Sequence, residues 1–305
     1  MNTQPAPQKM KFSTAITTKG YKQLIANTLT EPKRQARFVA AITSAVGVNP
    51  ALQECDSKSV ISGALLGESL GLSPSPQLGQ YYLVPFKQKE KRDRNGNVLE
   101  SECTKATFII GYKGMLQLAM RSGYYKKIVV LELKKGELAG FDPLEETIEC
   151  SLIEDPDERE AAPTVGYYAM FEYQNGFRKA IYWTQNKMMR HADHYSKAFS
   201  AKEYERLLRG EIPDKELWKY SSFWYTSFDD MAKKTMLRQL LSHWGMLSTD
   251  MQEAFEADGE PITNDGNNLV PEIDAGDTEP IEPTQPNDAP VPQTTEPENV
   301  DISAL

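Results

Sequence analysis

The chain has 305 residues and a net charge of −9, but the charge is split: residues 250–305 hold 15 of the 43 acidic residues and no Lys or Arg. That leaves 34 basic against 28 acidic residues, about +6, in residues 1–249, and a basic body with an acidic appendage points to a polyanionic partner. No run of about 18 consecutive apolar residues is present to span a membrane, and the polar N-terminus lacks the apolar core of a secretory signal, so a soluble intracellular protein is expected.

Taken in chain order, residues 1–12 read as a flexible start and residues 13–249 as one continuous domain, long enough for one sizeable core or two small ones sharing an interface. Pro32 to Val46 predicts a helix with Pro in a permitted first-turn position and Val39, Ile42 and Val46 on one stripe. Asp56 is a plausible cap for a second helix that stacks Val60, Ile61, Ala64 and Leu65 and stops at Gly71. The period then changes. Tyr81 to Phe86 and Thr104 to Ile110 read as strands, with Asn95-Gly96 as a hairpin signal between them. Strands are also predicted at Ile128 to Leu133 and Thr147 to Ile153, and a hairpin joins Val165–Tyr173 to Phe177–Trp183 through Asn175-Gly176. Short helices are expected at Tyr112 to Ser122 and Gln185 to Tyr195, and a longer one at Phe223 to Trp244. The sum is an α+β fold with a mainly antiparallel sheet and hairpins packed on helices. From Asp250 the Pro-, Asp- and Glu-rich composition predicts disorder after a short fraying helix at Met251 to Ala257. That tail is either a solubilising appendage or a DNA-mimicking or partner-docking arm. Cys55, Cys103 and Cys150 lack C-x-x-C spacing and read as buried thiols of a reducing compartment.

Several enzyme signatures are missing. There is no G-x-x-x-x-G-K-[ST] loop, and the glycines at 63, 67, 71 and 79 do not make a G-x-G-x-x-G turn, so nucleotide hydrolysis and a nucleotide cofactor are not expected. His191-Ala192-Asp193-His194 offers two imidazoles but no completing carboxylate cluster, so no metal site is assigned.

What the sequence does offer is cations in patterns. Lys87, Lys89, Lys91, Arg92 and Arg94 crowd the predicted arm. Lys113, Gln117 and Arg121 recur at every fourth position behind Tyr112, and Gly111 and Gly114 either let backbone amides approach a phosphate or serve tight packing. Lys187, Arg190, His191 and His194 form a stripe beside an apolar one of Met188, Ala192 and Tyr195. Protonated histidines there would hold phosphate better, below about pH 6.5. Six aromatics from Trp218 to Phe228 serve as core, interface or stacking surface. Asp229 and Asp230 stand four residues before Lys233 and Lys234 and partly neutralise them, whereas Arg238 has no such partner and is the stronger phosphate ligand.

The chain resembles the RecT family of phage and prophage single-strand annealing proteins. The resemblance rests on Leu70-Gly71-Leu72-Ser73-Pro74, Tyr82-Leu83-Val84-Pro85-Phe86, Ile110-Gly111-Tyr112-Lys113-Gly114-Met115 with Arg121-Ser122-Gly123, Tyr167-Tyr168-Ala169, and Trp224 through Lys233-Lys234-Thr235 to Leu237-Arg238, in order over residues 35–248. It implies a core like the β-β-β-α core of Redβ-type proteins, ATP-independent binding of single-stranded DNA and annealing by residues 13–249. It also implies some strand invasion, assembly into rings or helical filaments, a partner 5′-to-3′ exonuclease and contact with the host single-strand binding protein. Within the matching motifs it carries DNA contact to Tyr112, Lys113, Arg121, Lys233, Lys234 and Arg238. A strand-protecting module that does not anneal, and a metal-dependent nuclease built on His191 and His194, remain as alternatives.

Overall fold

Apolar residues at helical spacing build the first quarter of the molecule: α1 (Phe12–Ala15), α2 (Lys19–Thr28), α3 (Pro32–Val48) and α4 (Ser57–Ser69). Phe38, Ile42 and Val46 of α3 are buried, and α4 is buried along most of its length. Asp56 caps α4, its Oδ2 accepting the Ser59 N–H at 3.2 Å, a contact worth about 1 kcal/mol. The computed structural model describes residues 12–92, 98–100, 102–265, 268–271 and 279–280.

Past Gly71, whose φ of +62° turns the chain, β1 (Tyr81–Gln88) leads through the small pair β2 (Lys91–Arg92) and β3 (Val98–Glu100) to β4 (Cys103–Ile110). β1 and β4 pair antiparallel from Tyr81 opposite Ile110 to Gln88 opposite Cys103, with α4 packed on them. After α5 (Tyr112–Arg121) come β5 (Tyr125–Lys134), the hairpin of β6 (Leu138–Asp142) and β7 (Thr147–Cys150), α6 (Pro156–Ala161), β8 (Thr164–Tyr173) and β9 (Arg178–Thr184). β5, β8 and β9 form a second antiparallel sheet.

Alternation along β8 sends its side chains to opposite faces. Tyr167, Ala169 and Phe171 join the main core, while Tyr168 and Met170 join a smaller cluster covered by Leu138, Phe141 and Ile148 of the β6–β7 hairpin. The core face carries α7 (Gln185–Tyr195), then α8 (Ala201–Leu208), α9 (Phe223–Thr226) and α10 (Phe228–Trp244), which lies on β8, β5 and β9 and touches α5. α11 (Thr249–Glu256) is followed by β10 (Ile262–Asp265), β11 (Asn268–Pro271) and β12 (Glu279–Pro280).

The fold is α+β and antiparallel as expected, but among the described residues its strands divide into two three-stranded sheets and three two-stranded ones rather than a single sheet. The strand pattern reports period and not partner, so it could not show the division. The predicted long helix breaks at Ser227 (φ −145°, ψ 55°), leaving α9 and α10. Nor does α11 fray: Met251, Ala254 and Ala257 are buried, and residues 258–261 lie along β4, with the Gly259 N–H donating to Phe108 O (2.9 Å) and the Phe108 N–H to Glu260 O (3.1 Å). Packing therefore continues beyond residue 249 to Ile262, which is fully buried. β12 pairs with β1, placing Glu279 opposite Lys87. Of the three thiols only Cys55 is buried; Cys103 is half-buried, and Cys150, near the outer hairpin's end, is exposed.

A buried ion pair ties β5 to that hairpin. Glu137, 1 % exposed, accepts the Arg159 Nε–H at 2.6 Å and the backbone N–H groups of Lys134 (2.8 Å) and Ile153 (3.1 Å). Burial alone would raise the Glu137 pKa, but the Arg159 hydrogen bond, the two N–H groups and the Arg159 charge outweigh it and hold the carboxyl below its usual value. The stabilisation is therefore present at neutral pH and lost as pH falls through that lowered pKa. Arg159→Ala should cost about 3 kcal/mol in urea unfolding at pH 7, because it strands a buried charge, and the loss should shrink at acid pH, where the variant's Glu137, no longer held down by Arg159, takes up a proton.

Candidate nucleic-acid interface

The β4-to-α5 junction brings two of the predicted groups together. α5, which carries Tyr112, Lys113, Gln117 and Arg121, is in contact with α10, which carries Lys233, Lys234 and Arg238, and Tyr112 lies near enough to Lys233 to feel its charge. Their environments differ sharply.

Lys113 is exposed and makes no hydrogen bond or ion pair among the described residues. Arg121 Nη2 donates to Leu70 O and Gln117 Nε2 to Gly71 O at 3.5 Å, so both close off the C-terminal end of α4, where a cation suits the helix dipole. Tyr112 is half-buried against the core; burial raises its phenol pKa, with Lys233 lowering it and Glu132 raising it.

The two glycines serve packing. A Cβ on Gly111 would stand 2.1 Å from Gly79 O, and one on Gly114 2.0 Å from Gln80 O. The Gly111 N–H donates to Gln80 O at 2.8 Å, so that amide is not available to a phosphate.

On α10 the lysine pairing differs from the i,i+4 expectation. Lys233 meets Asp230 at 3.1 Å and Glu132 of β5 at 3.4 Å; burial lowers its pKa, but these two carboxylates leave it raised. Asp229 instead accepts hydrogen bonds from Tyr167 Oη (2.6 Å) and Thr164 Oγ1 (2.8 Å) and lies 3.9 Å from Lys134 Nζ. Lys234 is left with no carboxylate among the described residues; burial, then the Arg238 charge, lowers its pKa to about 8. Arg238, expected to be unpaired, forms an ion pair with Asp258 and lies over the Phe255 ring (5.6 Å), with its pKa lowered by burial. Spacing rules within one helix could not reveal a partner on the following segment.

The α7 stripe is real and carries an aromatic clamp. Lys187 Nζ sits over Trp183 at 4.3 Å, and His191 is wedged between Trp183 (5.1 Å) and Tyr195 (4.5 Å), with His194 edge-on to Tyr195. Tyr195, expected on the apolar face, is 71 % exposed, and Arg190 is exposed. Burial, then His194 and Lys187, lowers the His191 pKa, so its charge appears only below the ordinary histidine value. Asp193 Oδ1 accepts the Ala201 N–H at 2.8 Å, and among the described residues no group of three or more His, Cys, Asp or Glu is placed to hold a metal.

On the arm, Lys87 and Lys89 are exposed, Lys91 and Arg92 form β2, and Arg94 with Asn95-Gly96 lies outside the described residues. Of the late aromatics, Trp224 and Phe228 are core, Tyr225 Oη accepts the Ser200 N–H at 2.8 Å and Tyr220 Oη donates to Glu203, while Trp218 (69 %) and Phe223 (60 %) are exposed. Sequence reasoning missed Glu132, Phe255 and Asp258 as the groups that set the state of the α10 cations. Trp183, directly before the α7 cap Thr184 and four residues from Lys187, carried a visible signal that was not taken up.

An α+β fold that carries Lys113 and Lys234 on contacting helices, both without a carboxylate among the described residues, offers the donors that a nucleic-acid backbone needs. The sequence model of the RecT family matches residues 36–271. The chain is 33 % identical over 265 residues to "Uncharacterized protein YqaK" of Bacillus subtilis (strain 168), covering 87 % of this chain and 78 % of that protein. It is 29 % identical over 264 residues to "Protein RecT" of Escherichia coli (strain K12), covering 85 % and 86 %. The chain belongs to the RecT family, and is thus a phage-type recombination protein of the DNA-annealing kind. No helix among the described residues is long and apolar enough to cross a membrane.

Because Gly114 abuts backbone rather than a mobile side chain, Gly114→Ala should destabilise the fold by about 1–3 kcal/mol despite the better helix propensity of Ala, read as a lowered thermal midpoint.

Proposed function

We propose that the protein binds single-stranded DNA through its phosphate backbone, oligomerises along it and pairs complementary strands without nucleotide hydrolysis. Two strands repel each other, so an annealer must neutralise phosphates on one while leaving its base edges open to the other, which Lys and Arg do without sequence preference. Pairing supplies about 1.4 kcal/mol per stacked step, so no other energy source is needed. The observation that carries this reading is the cation corner of a RecT-family chain: Lys113 and Lys234 stand without counter-charges among the described residues on contacting helices.

In this reading Lys113 and Lys234 make the primary phosphate contacts. Tyr112, Lys233 and Arg238 line the same corner, with Gln117 and Arg121 holding α5 to α4. Lys187, Arg190, His191 and His194 of α7 extend the path, and Lys87, Lys89, Lys91, Arg92 and Arg94 of the arm hold the backbone further along. Trp218 and Phe223, large and exposed, suit an interface between copies in a ring or helical filament. A 5′-to-3′ exonuclease that exposes the strand and the host single-strand binding protein are the partners this role requires, and residues 250–305 are the acidic segment to dock one of them.

The first test is the annealing rate of complementary oligonucleotides precoated with the protein, without ATP, against bare strands at equal salt. Acceleration is expected; slowed pairing with tight binding would reduce the protein to strand protection. A second test uses pH. Lys234 loses its proton around pH 8, so strand affinity should fall between about pH 7 and 9, and Lys234→Arg should remove that fall. Because a lysine pKa lowered by folding penalises the charged form, fold stability should rise over the same interval, which separates lost binding from unfolding.

A further inference from the structure

Arg238 already holds an anion. Asp258 Oδ2 is paired with its guanidinium, and Asp258 Oδ1 accepts the N–H of Ile110 at 2.9 Å, immediately before the residue that caps α5. The carboxylate is carried by residues 258–261, which add themselves to the edge of β4 through the Gly259 and Phe108 N–H groups and a bridge between Thr107 and Pro261. Lys234, one turn before Arg238, has no carboxylate of its own among the described residues. One of these two neighbouring cations therefore has an internal carboxylate, and the other has none among the described residues. Arg238 Nη1 is buried and finds no hydrogen-bond acceptor besides this ion pair.

A guanidinium, a backbone N–H beside a helix start and a second ammonium are donors that suit a phosphodiester as well as a carboxylate. The side chains differ in access: Arg238 is 35 % exposed and Asp258 9 %, so an incoming anion reaches the guanidinium before the carboxylate leaves it. Asp258 also belongs to residues 250–305, a segment with 15 acidic residues and no base, and as part of the same chain it re-forms its pair at a high effective concentration.

We propose that Asp258 is a built-in placeholder for a DNA backbone phosphate: single-stranded DNA takes the Arg238–Lys234 site by displacing the Asp258 carboxylate and lifting residues 258–261 from the edge of β4. This rests on the single-strand-binding reading and adds to it a brake within the same chain. Weak or high-salt binding leaves the brake on, whereas a long strand, engaging Lys113 and the α7 face at once, releases it.

The test is fluorescence-anisotropy titration of a labelled single-stranded oligonucleotide with the full chain, with Asp258→Asn, and with Glu256→Gln. The last makes the same charge change at an exposed residue of α11. Asp258→Asn keeps an oxygen for the Ile110 N–H; it should bind about three- to tenfold tighter with a salt slope steeper by about one, against less than about twofold for Glu256→Gln. A second variant, Thr107→Cys with Pro261→Cys in a Cys103→Ser, Cys150→Ser background, pins the segment to β4. Oxidised, it should keep its far-ultraviolet dichroism and lose strand affinity about tenfold, and reductant should restore binding. Equal binding by the oxidised and reduced forms, or equal gains for the two single variants, would overturn the placeholder. No strand binding by any form, the native chain included, would overturn the DNA reading itself.

Discussion

The seam between the N-terminal half of α10 and the β5–β8–β9 sheet is polar, and the position of every cation on that helix depends on it. Asp229 takes the hydroxyls of Tyr167 and Thr164 from β8, and Glu132 of β5 takes Lys233. The Tyr167 ring is fully buried, so its hydroxyl needs an acceptor, and Asp229 is held to one register to provide it. Glu132 is shared with Arg159, which in turn satisfies Glu137, so the seam continues beneath the sheet into the outer hairpin. Apolar packing of Ala232, Met236 and Leu240 would tolerate sliding or rotation far better than these directional contacts do.

With that register set, adjacent cations meet different fates. Lys233 faces the sheet and is neutralised. Arg238 meets Asp258 of the C-terminal segment, whereas Lys234 has no carboxylate among the described residues. Like charges one turn apart repel, and burial adds a desolvation cost, so the corner is less stable than a neutral one would be. In the proposed function a strand of phosphates is received here, and that cost would be returned on binding as affinity. The proximity of Asp258 limits the cost in the unbound protein.

The same logic connects the basic body of the chain with its acidic C-terminal segment. That segment is not wholly an appendage: α11 and residues 257–262 complete the hydrophobic core, and β12 pairs with β1 beside Lys87. An acidic segment that both finishes the fold and touches both edges of the β1–β4 sheet is placed to compete with a polyanion for the basic surface. In the proposed annealing role such competition would lower affinity for stray or short strands while sparing long ones that engage several subunits together.

Much of the local structure was legible in the residues themselves. The Asp56 cap, the Asn175-Gly176 hairpin with Gly176 at φ +87°, the alternation along β1 and β8, and the ordered motifs of the family all depend on interactions within a few residues, which spacing reports directly. The cation stripes on α5 and α7 were visible for the same reason. What tertiary structure alone decided is which of those cations are spent. The partners of Lys233 and Arg238 lie on other elements, Gly111 and Gly114 yield to the backbone at 79–80, and Asp258 reaches Ile110 across 148 residues. Sequence spacing fixes direction along one element, whereas charge pairing and close packing depend on distance between elements, and only the folded chain sets that distance.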